Sequence, residues 1–187
     1  MEENKGKIIV ISAPSGGGKT TILKELIKRI PNSARVITVT SRPKRESEQE
    51  GVDYFFVSKE KFEEKIGNNE FVEYNFYSGN YYGTEKSKLE ESKQKYAFSF
   101  LPTETNGKNN LDKLGIDHIS IFLLPESLEV LRNRIMQRGG HTAKEIVERL
   151  GIAKDEIAES EKYNFKVVNK EGYLEETIEK IVEFLRK

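Results

Sequence analysis

The segment KIIVISAPSGGGKTTILKELIKRI, residues 7–30, is the strongest indication of the fold because it joins a strand, a turn and a helix without a break. Residues 7–11 form an apolar, β-branched run that is typical of a buried strand. The turn contains three consecutive glycines, which let the backbone point its N–H groups inward with no Cβ in the way. Leucines and isoleucines then recur at the i, i+3, i+4, i+7 spacing of a helix that packs on a sheet.

Residues 13–21 follow the pattern of a nucleotide phosphate-binding turn. The helix dipole attracts anions at this end, and Lys19 adds a full positive charge for the β- and γ-phosphates. Thr20 follows, and its hydroxyl is placed to bind a phosphate-associated Mg²⁺. A short glycine-rich string also fits a plain flexible turn, but the flanking strand and helix favour the phosphate site. The predicted phosphate-binding residues are Ala13, Pro14, Ser15, Gly16, Gly17, Gly18, Lys19, Thr20 and Thr21.

Ala13 departs from the pattern GxxxxGK[ST], which usually begins with glycine. Alanine is small enough for a tight turn, but it costs up to about 1 kcal/mol if the backbone needs a positive φ there. The strain of the predicted turn therefore depends on the backbone conformation at Ala13.

Composition and charge limit the possible classes of protein. The chain has 187 residues, no cysteine, and 31 basic residues balanced by 31 acidic residues. The absence of cysteine excludes disulfides, a zinc–thiolate site and a cysteine nucleophile. With no net charge, neither nucleic acid nor a membrane is expected as a partner. No apolar run is long enough for a membrane span and no signal-peptide core is present, so we expect a cytoplasmic protein.

Five apolar runs predict strands, and helical patterns separate most of them. The predicted strands cover residues 7–12, 36–40, 96–101, 119–124 and 165–168. This alternation favours a mostly parallel sheet flanked by helices, with ligands beyond the carboxyl ends of the strands. Residues 52–84 interrupt this alternation of strands and helices. Aromatic segments with the alternating pattern of strands lie on both sides of a short helix there, which predicts a small antiparallel insert.

A helical lid is predicted at about residues 134–155. Gly139 and Gly140 separate two basic helices and therefore indicate a hinge. Thr142 and Glu145 form a capping-box pattern at the start of the second helix.

A second anion site is indicated by Arg42 and Arg45, which follow the end of a predicted strand. Two guanidinium groups can grip a phosphate bidentately, although a solvated charge run among the neighbouring glutamates remains open as an alternative. The carboxylate of Glu73 would accept hydrogen bonds from the edge of a ligand that carries two adjacent donors, as guanine does. The hydroxyls of Thr38 and Thr84 would donate to a carbonyl such as O6.

Six segments resemble the guanylate kinases, the P-loop enzymes that phosphorylate GMP with ATP. They are APSGGGKT at 13–20, TVTSRPKR at 38–45, EGVDYFFVS at 50–58, EFVEYNFYSGNYYGT at 70–84, RIMQRG at 134–139 and ERL at 148–150. The resemblance implies one α/β domain of the P-loop NTPase class, with ATP as phosphate donor and Mg²⁺ as cofactor. Its implied parts are a core of residues 1–35 and 85–187, a GMP-binding insert at about 36–84, and the lid.

The resemblance also implies roles for individual residues. The implied ligands of the GMP phosphate are Arg42, Arg45, Tyr54 and Tyr82, and those of guanine are Thr38, Glu73 and Thr84. Glu104 is a further implied GMP-binding residue. The implied lid arginines are Arg134, Arg138 and Arg149, which join Lys19 and Arg42 as catalytic residues. Asn169 would contact adenine.

One segment departs from the family pattern. Where guanylate kinases usually carry DxDxxG, this chain reads PTETNG at residues 102–107. Pro102 replaces the first acid, which is the expected direct or indirect partner of Mg²⁺, while Glu104 keeps an acid at the second position. The metal would then depend on Thr20, water and the phosphates, so we expect looser positioning and slower turnover.

Three functions are open at this point. The leading hypothesis is phosphoryl transfer from ATP to GMP, and to dGMP, and Glu73 with the Arg42 and Arg45 pair favours it. The first alternative is a kinase on the same scaffold with another acceptor, such as a ribose bisphosphate. The second is a catalytically weak guanylate-kinase-like binding module, which only Pro102 favours, because Lys19 and the lid arginines are kept.

Overall fold

The structure is a computed structural model that describes residues 6–77, 79–137 and 142–187. Its helices are α1 (Lys19–Arg29), α2 (Lys59–Gly67), α3 (Lys86–Lys95), α4 (Thr105–Lys113), α5 (Leu128–Gln137), α6 (Ala143–Glu159) and α7 (Leu174–Leu185). Its strands are β1 (Lys7–Ser12), β2 (Ser33–Arg35), β3 (Val39–Thr40), β4 (Phe55–Phe56), β5 (Phe71–Tyr77), β6 (Asn80–Glu85), β7 (Phe98–Pro102), β8 (Ile119–Pro125) and β9 (Phe165–Asn169). The strands form two sheets.

The central sheet has five parallel strands in the order β2-β7-β1-β8-β9. Side chains alternate across β1, so Ile9 and Ile11 pack with α1 and α7, while Ile8 and Val10 pack with α3 and α4. All four side chains are buried, and each contributes about 1.5–3 kcal/mol relative to an exposed position. The predicted α/β fold, a mostly parallel sheet flanked by helices, is confirmed.

A second sheet has four strands in the order β4-β3-β6-β5. Strand β6 is antiparallel to both β5 and β3, as predicted for the insert, but β3 and β4 run parallel, so this sheet is mixed. Its own small core forms where Phe62 of α2 stacks on Phe71 and Tyr81, with ring centroids 4.3 and 5.0 Å apart. Stacked aromatic rings of this kind give the second sheet a hydrophobic core separate from that of the central sheet.

The single strand predicted at residues 36–40 is wrong, because the chain changes sheets within it. Val36 N still donates to Phe100 O of β7 at 2.8 Å, next to the end of β2. Two residues later, Thr38 O accepts from Phe55 N of the second sheet at 2.9 Å. Apolar periodicity identifies an extended run but does not encode which strand the run pairs with. Arg35 and Thr38 therefore lie where the chain crosses from one sheet to the other.

Helices α5 and α6 pack together through a small apolar cluster. The predicted capping box begins α6, because Thr142 Oγ1 accepts from Glu145 N at 3.3 Å and Glu145 Oε2 accepts from Thr142 N at 2.7 Å. The predicted hinge at Gly139 and Gly140 lies outside the described residues, as does Arg138. Within the described ranges, no helix has the length and apolar character needed to span a membrane.

Candidate active site

The phosphate-binding turn joins β1 to α1 at the carboxyl edge of the central sheet. Gly16 and Gly18 have φ values of 87° and 89°, in the left-handed region that favours glycine. A Cβ placed on Gly17 would lie 2.7 Å from the Cβ of Ala13, so this position also needs glycine. Ala13 is not among the described residues with positive φ. The strain expected for an alanine at a positive φ therefore does not arise at this position.

Asn169, the predicted adenine contact, touches this turn from the end of β9. Its buried side chain donates from Nδ2 to the carbonyl oxygen of Gly17 at 2.9 Å. A Cβ placed on Gly18 would collide with the same amide nitrogen. Asn169 therefore supports the backbone of the turn, a role that the sequence did not indicate, and its contact with adenine stays a prediction.

Lys19 is the first residue of α1, and its ammonium group donates hydrogen bonds to two other segments of the chain. Nζ donates to Ala13 O at 3.4 Å and to Thr103 O, just beyond β7, at 3.3 Å. Burial lowers the pKa of Lys19, while the charges of three nearby glutamates oppose that shift. Both hydrogen bonds are long and go to neutral carbonyls, so exchanging them for contacts with a phosphate costs little.

A cavity of about 590 Å³ lies between the phosphate-binding turn and α6. Its α6 side is lined by Glu145, Glu148, Arg149, Ile152 and Glu156. The predicted lid residue Arg149 reaches the turn, because its Nη1 donates to Ser15 Oγ at 2.9 Å. Arg134 is close as well, since its Cβ lies 3.7 Å from the position of a Cβ placed on Gly16. Two of the three predicted lid arginines therefore adjoin the turn, and the third, Arg138, lies outside the described residues.

A second cavity, of about 380 Å³, lies between the two sheets. The predicted acceptor residues that line it are Thr38, Tyr54, Glu73, Tyr82 and Glu104. Both cavities have volumes in the range of small-ligand sites, and both are lined by Lys19 and Thr20. Two ligand sites that meet at one lysine are suited to moving a charged group from one bound molecule to another.

Glu73 and Thr84 face each other across β5 and β6. Thr84 Oγ1 donates to Glu73 Oε1 at 2.6 Å, so its single proton orients the carboxylate in this structure. Burial raises the pKa of Glu73, and the hydrogen bond from Thr84 opposes that shift. Donation from Thr84 to a guanine carbonyl stays a prediction, and it would require this hydroxyl to change partner.

Three of the four predicted phosphate ligands of the insert lie together around the Tyr54 ring, and the fourth, Arg45, is near them only through its backbone. The guanidinium carbon of Arg42 lies 5.7 Å from the ring centroid of Tyr54, which contacts Tyr82 edge to face at 6.1 Å. Arg42 Nη2 also pairs with Glu48 Oε1 at 2.6 Å, and this hydrogen bond lowers the pKa of Glu48. Arg45 N donates to the same carboxylate at 2.9 Å, while its side chain is exposed. An anion that enters here would compete with Glu48 for Arg42.

Several residues that line the cavities were missed from the sequence, among them Arg35, Asn75 and Glu156. Asn75 lines both cavities and donates from Nδ2 to Glu104 Oε2 at 3.2 Å. Burial raises the pKa of Glu156 to about 7; the charge of Lys19 opposes this shift and that of Glu104 adds to it. Glu156 follows Arg149 at i+7 on α6, so helical spacing from the lid arginine would have found it. Arg35 and Asn75 lie in strands, where no comparable spacing singles them out.

The sequence and the fold of this chain are similar to those of known proteins. The sequence model of the guanylate kinase family matches residues 5–187. The chain is 41% identical over 171 residues to the guanylate kinase of Clostridioides difficile (strain 630), covering 91% of this chain and 83% of the relative. It is 42% identical over 177 residues to that of Clostridium tetani (strain Massachusetts / E88), covering 95% of this chain and 84% of the relative. The crystal structure of guanylate kinase from Anaplasma phagocytophilum matches with a TM-score of 0.74 and 31% identity, over 98% of this chain and 86% of that one. By sequence and by fold, the chain belongs to the guanylate kinase family.

Proposed function

We propose that this protein transfers the γ-phosphoryl group of ATP to GMP, giving ADP and GDP. The observation that carries the proposal is the meeting of two cavities at Lys19 and Thr20. Phosphoryl transfer requires little covalent chemistry from the protein. The protein must hold the two oxyanions in line and neutralise negative charge as the phosphoryl group moves between them. Lys19 lies at the junction where the transferred group would pass.

The donor phosphates would follow the backbone of the turn, from Ala13 to Thr20 and on to Thr21. The N-terminus of α1 and Lys19 would offset their negative charge. Arg149, already bonded to Ser15, would exchange that hydroxyl for a phosphate oxygen, because a charge-assisted hydrogen bond is the stronger one. Arg134 and Arg138 would complete the lid, so that water is excluded only when both nucleotides are bound.

GMP would occupy the cavity between the sheets. Glu73 would accept from N1–H and N2–H₂ of guanine, a donor pair that adenine lacks at these positions, with Thr38 at the carbonyl edge and Glu104 beside it. The phosphate would lie against Arg42, with Arg45, Tyr54 and Tyr82 as its remaining ligands. These contacts address the base and the phosphate, so dGMP is the second acceptor that we propose.

Mg²⁺ fits the residues of the donor cavity as a companion of ATP. Thr20 offers an exposed hydroxyl oxygen that lines both cavities, and oxygen is the ligand that Mg²⁺ prefers. Within the described ranges, no three acidic or imidazole side chains converge to hold a metal, so water and phosphates would supply the other ligands. When bound, the ion would neutralise charge on the β- and γ-phosphates. We place the protein in the cytoplasm, where both nucleotides are available.

A coupled assay of ADP release tests the function. ATP and Mg²⁺ are supplied throughout, and GMP, dGMP, AMP and a ribose bisphosphate are offered separately as acceptors. We expect ADP release that depends on GMP and dGMP, and little with AMP, because Glu73 requires a donor pair. ADP release that is as fast with the ribose bisphosphate as with GMP would replace the proposed acceptor. No acceptor-dependent release would overturn phosphoryl transfer itself.

A further inference from the structure

Arg35 is the last residue of β2, at the point where the chain leaves the central sheet for the second sheet. Its side chain lines the acceptor cavity. Its Nε is buried, and among the described residues this atom has no hydrogen-bond acceptor. The contact found for the guanidinium within those ranges is with Tyr54, whose ring centroid lies 5.8 Å from the guanidinium carbon. Arg35 is therefore a partly buried cation without a described acceptor or anionic partner.

The carboxylates that share this cavity already have hydrogen-bond partners. Glu73 accepts from Thr84 at 2.6 Å, and Glu104 accepts from Asn75 at 3.2 Å. A guanidinium that is partly withdrawn from water loses hydration, and an anion with good geometry is what compensates that loss. The cavity therefore has a place for a negative charge that the protein itself does not fill.

A second guanidinium, that of Arg42, also contacts the Tyr54 ring. The two guanidinium groups together indicate where in the cavity a negative charge would bind. Arg35 and Arg42 lie at nearly equal distances from the Tyr54 ring centroid, 5.8 and 5.7 Å. Arg42 is paired with Glu48, so Arg35 is the guanidinium of the two that has no described carboxylate partner. An anion beside Tyr54 would gain a full positive charge from Arg35 without displacing a carboxylate.

We propose that Arg35 binds the phosphate of the acceptor nucleotide, as a further guanidinium beside Arg42. This inference rests on the proposed function and names another ligand of the same acceptor. Arg42, Tyr54 and Tyr82 belong to the insert, whereas Arg35 belongs to the central sheet, on which α1 with Lys19 packs. A phosphate held from both sides links the insert to the sheet, which fixes the acceptor relative to the donor phosphates.

Calorimetric titration with GMP and with guanosine tests the proposal on the full chain. Arg35→Gln keeps a polar side chain of similar length but removes the charge, and we expect it to weaken GMP binding by about 10-fold or more. Guanosine, which has no phosphate, should bind the variant and the wild type equally. Arg35→Lys should fall between them, because an ammonium keeps the charge but not the planar fork. Arg186→Gln, at the exposed end of the chain beyond α7, is the control for loss of one positive charge and should leave both affinities unchanged.

Thermal denaturation and a GMP complex distinguish binding from folding. Because Nε has no described acceptor, Arg35→Gln should unfold at the same temperature as the wild type or higher. In a crystal of the GMP complex, an Arg35 nitrogen should lie about 3 Å from a phosphate oxygen. Unchanged GMP affinity in Arg35→Gln, or an equal loss for GMP and guanosine, would overturn the inference alone. Failure of the wild type to bind GMP would instead remove the proposed function on which it rests.

Discussion

Replacing Glu73 with glutamine tests the guanine site most sharply, because the structure predicts opposite effects on binding and on stability. The substitution keeps the shape of the side chain and its hydrogen bond from Thr84, which is 2.6 Å long in the wild type. It removes the negative charge and turns one acceptor into a donor. A guanine edge that offers two adjacent donors then meets an acceptor and a donor in place of two acceptors.

The loss of GMP affinity follows from that mismatch. A buried donor left without its acceptor costs about 1–3 kcal/mol, which corresponds to a rise in Kd of roughly 5- to 150-fold. Binding of ATP at the other cavity should change little, since Glu73 does not line it. The expected result is therefore a selective loss on the acceptor side.

Stability should move the other way. Burial raises the pKa of Glu73 in the folded protein, whereas an unfolded glutamate has a pKa of about 4.3. At pH values between the unfolded pKa and the raised folded pKa, the folded state binds more protons than the unfolded state. The contribution of this carboxyl to the stability of the wild type therefore falls as the pH rises through that range. Glutamine has no charge to bury, so Glu73→Gln should melt at a higher temperature than the wild type at pH 8. The difference should shrink toward pH 4.

Titration calorimetry with GMP and ATP, together with thermal denaturation at pH 4, 6 and 8, measures both effects. Glu90→Gln is the matched control, because Glu90 is exposed on α3 and the charge change is identical. An unchanged Kd for GMP in Glu73→Gln would move the guanine site elsewhere. A lower melting temperature at pH 8 would refute the conclusion that Glu73 is held charged at a cost.

Three further changes test other parts of the site. Lys19→Ala should reduce turnover by about 100-fold or more while GMP binding stays measurable by calorimetry, because the lysine acts on charge that develops during transfer; equal loss of GMP binding would refute the two-cavity arrangement. Gly18→Ala should lower both the melting temperature and ATP affinity, because its Cβ would collide with the Asn169 amide at a positive φ, and wild-type values for both would contradict the conformation of the turn. Metal-free ATP adds negative charge near Glu156, whose pKa is already about 7, so binding should take up protons at neutral pH. Calorimetry in buffers of different ionisation enthalpy measures that uptake, which should decrease in Glu156→Gln; an undiminished uptake would place the titrating group elsewhere.

Local patterns in the sequence predicted the parts of the fold that form within one stretch of chain. The strand, turn and helix of residues 7–30 and the capping box at Thr142 and Glu145 depend on neighbours a few residues away, and both are present as expected. Pairing between distant segments was not predictable in this way. The change of sheets after Val36 and the parallel pairing of β3 with β4 depend on partners contributed by residues far along the chain.

The same distinction applies to the candidate site. Motifs pointed to the phosphate-binding turn, to Glu73, and to Arg134 and Arg149, which adjoin the turn. The support that Asn169 gives to Gly17 comes from β9, and its side chain contacts the turn only once the sheet has formed. Arg35 likewise meets Tyr54 only because two sheets face each other across the acceptor cavity. Contacts between residues that are far apart in the chain leave no pattern of fixed spacing in a single sequence.

The most direct test of phosphoryl transfer follows the phosphorus atom itself. The protein is incubated with Mg²⁺ and ATP labelled at the γ-phosphate, with and without GMP, and the nucleotides are separated. We expect the label to appear as the β-phosphate of GDP, only when GMP is present, and Lys19→Ala nearly to abolish this transfer. Label that remains in ATP, or that is released as inorganic phosphate with no labelled GDP, would contradict phosphoryl transfer to GMP.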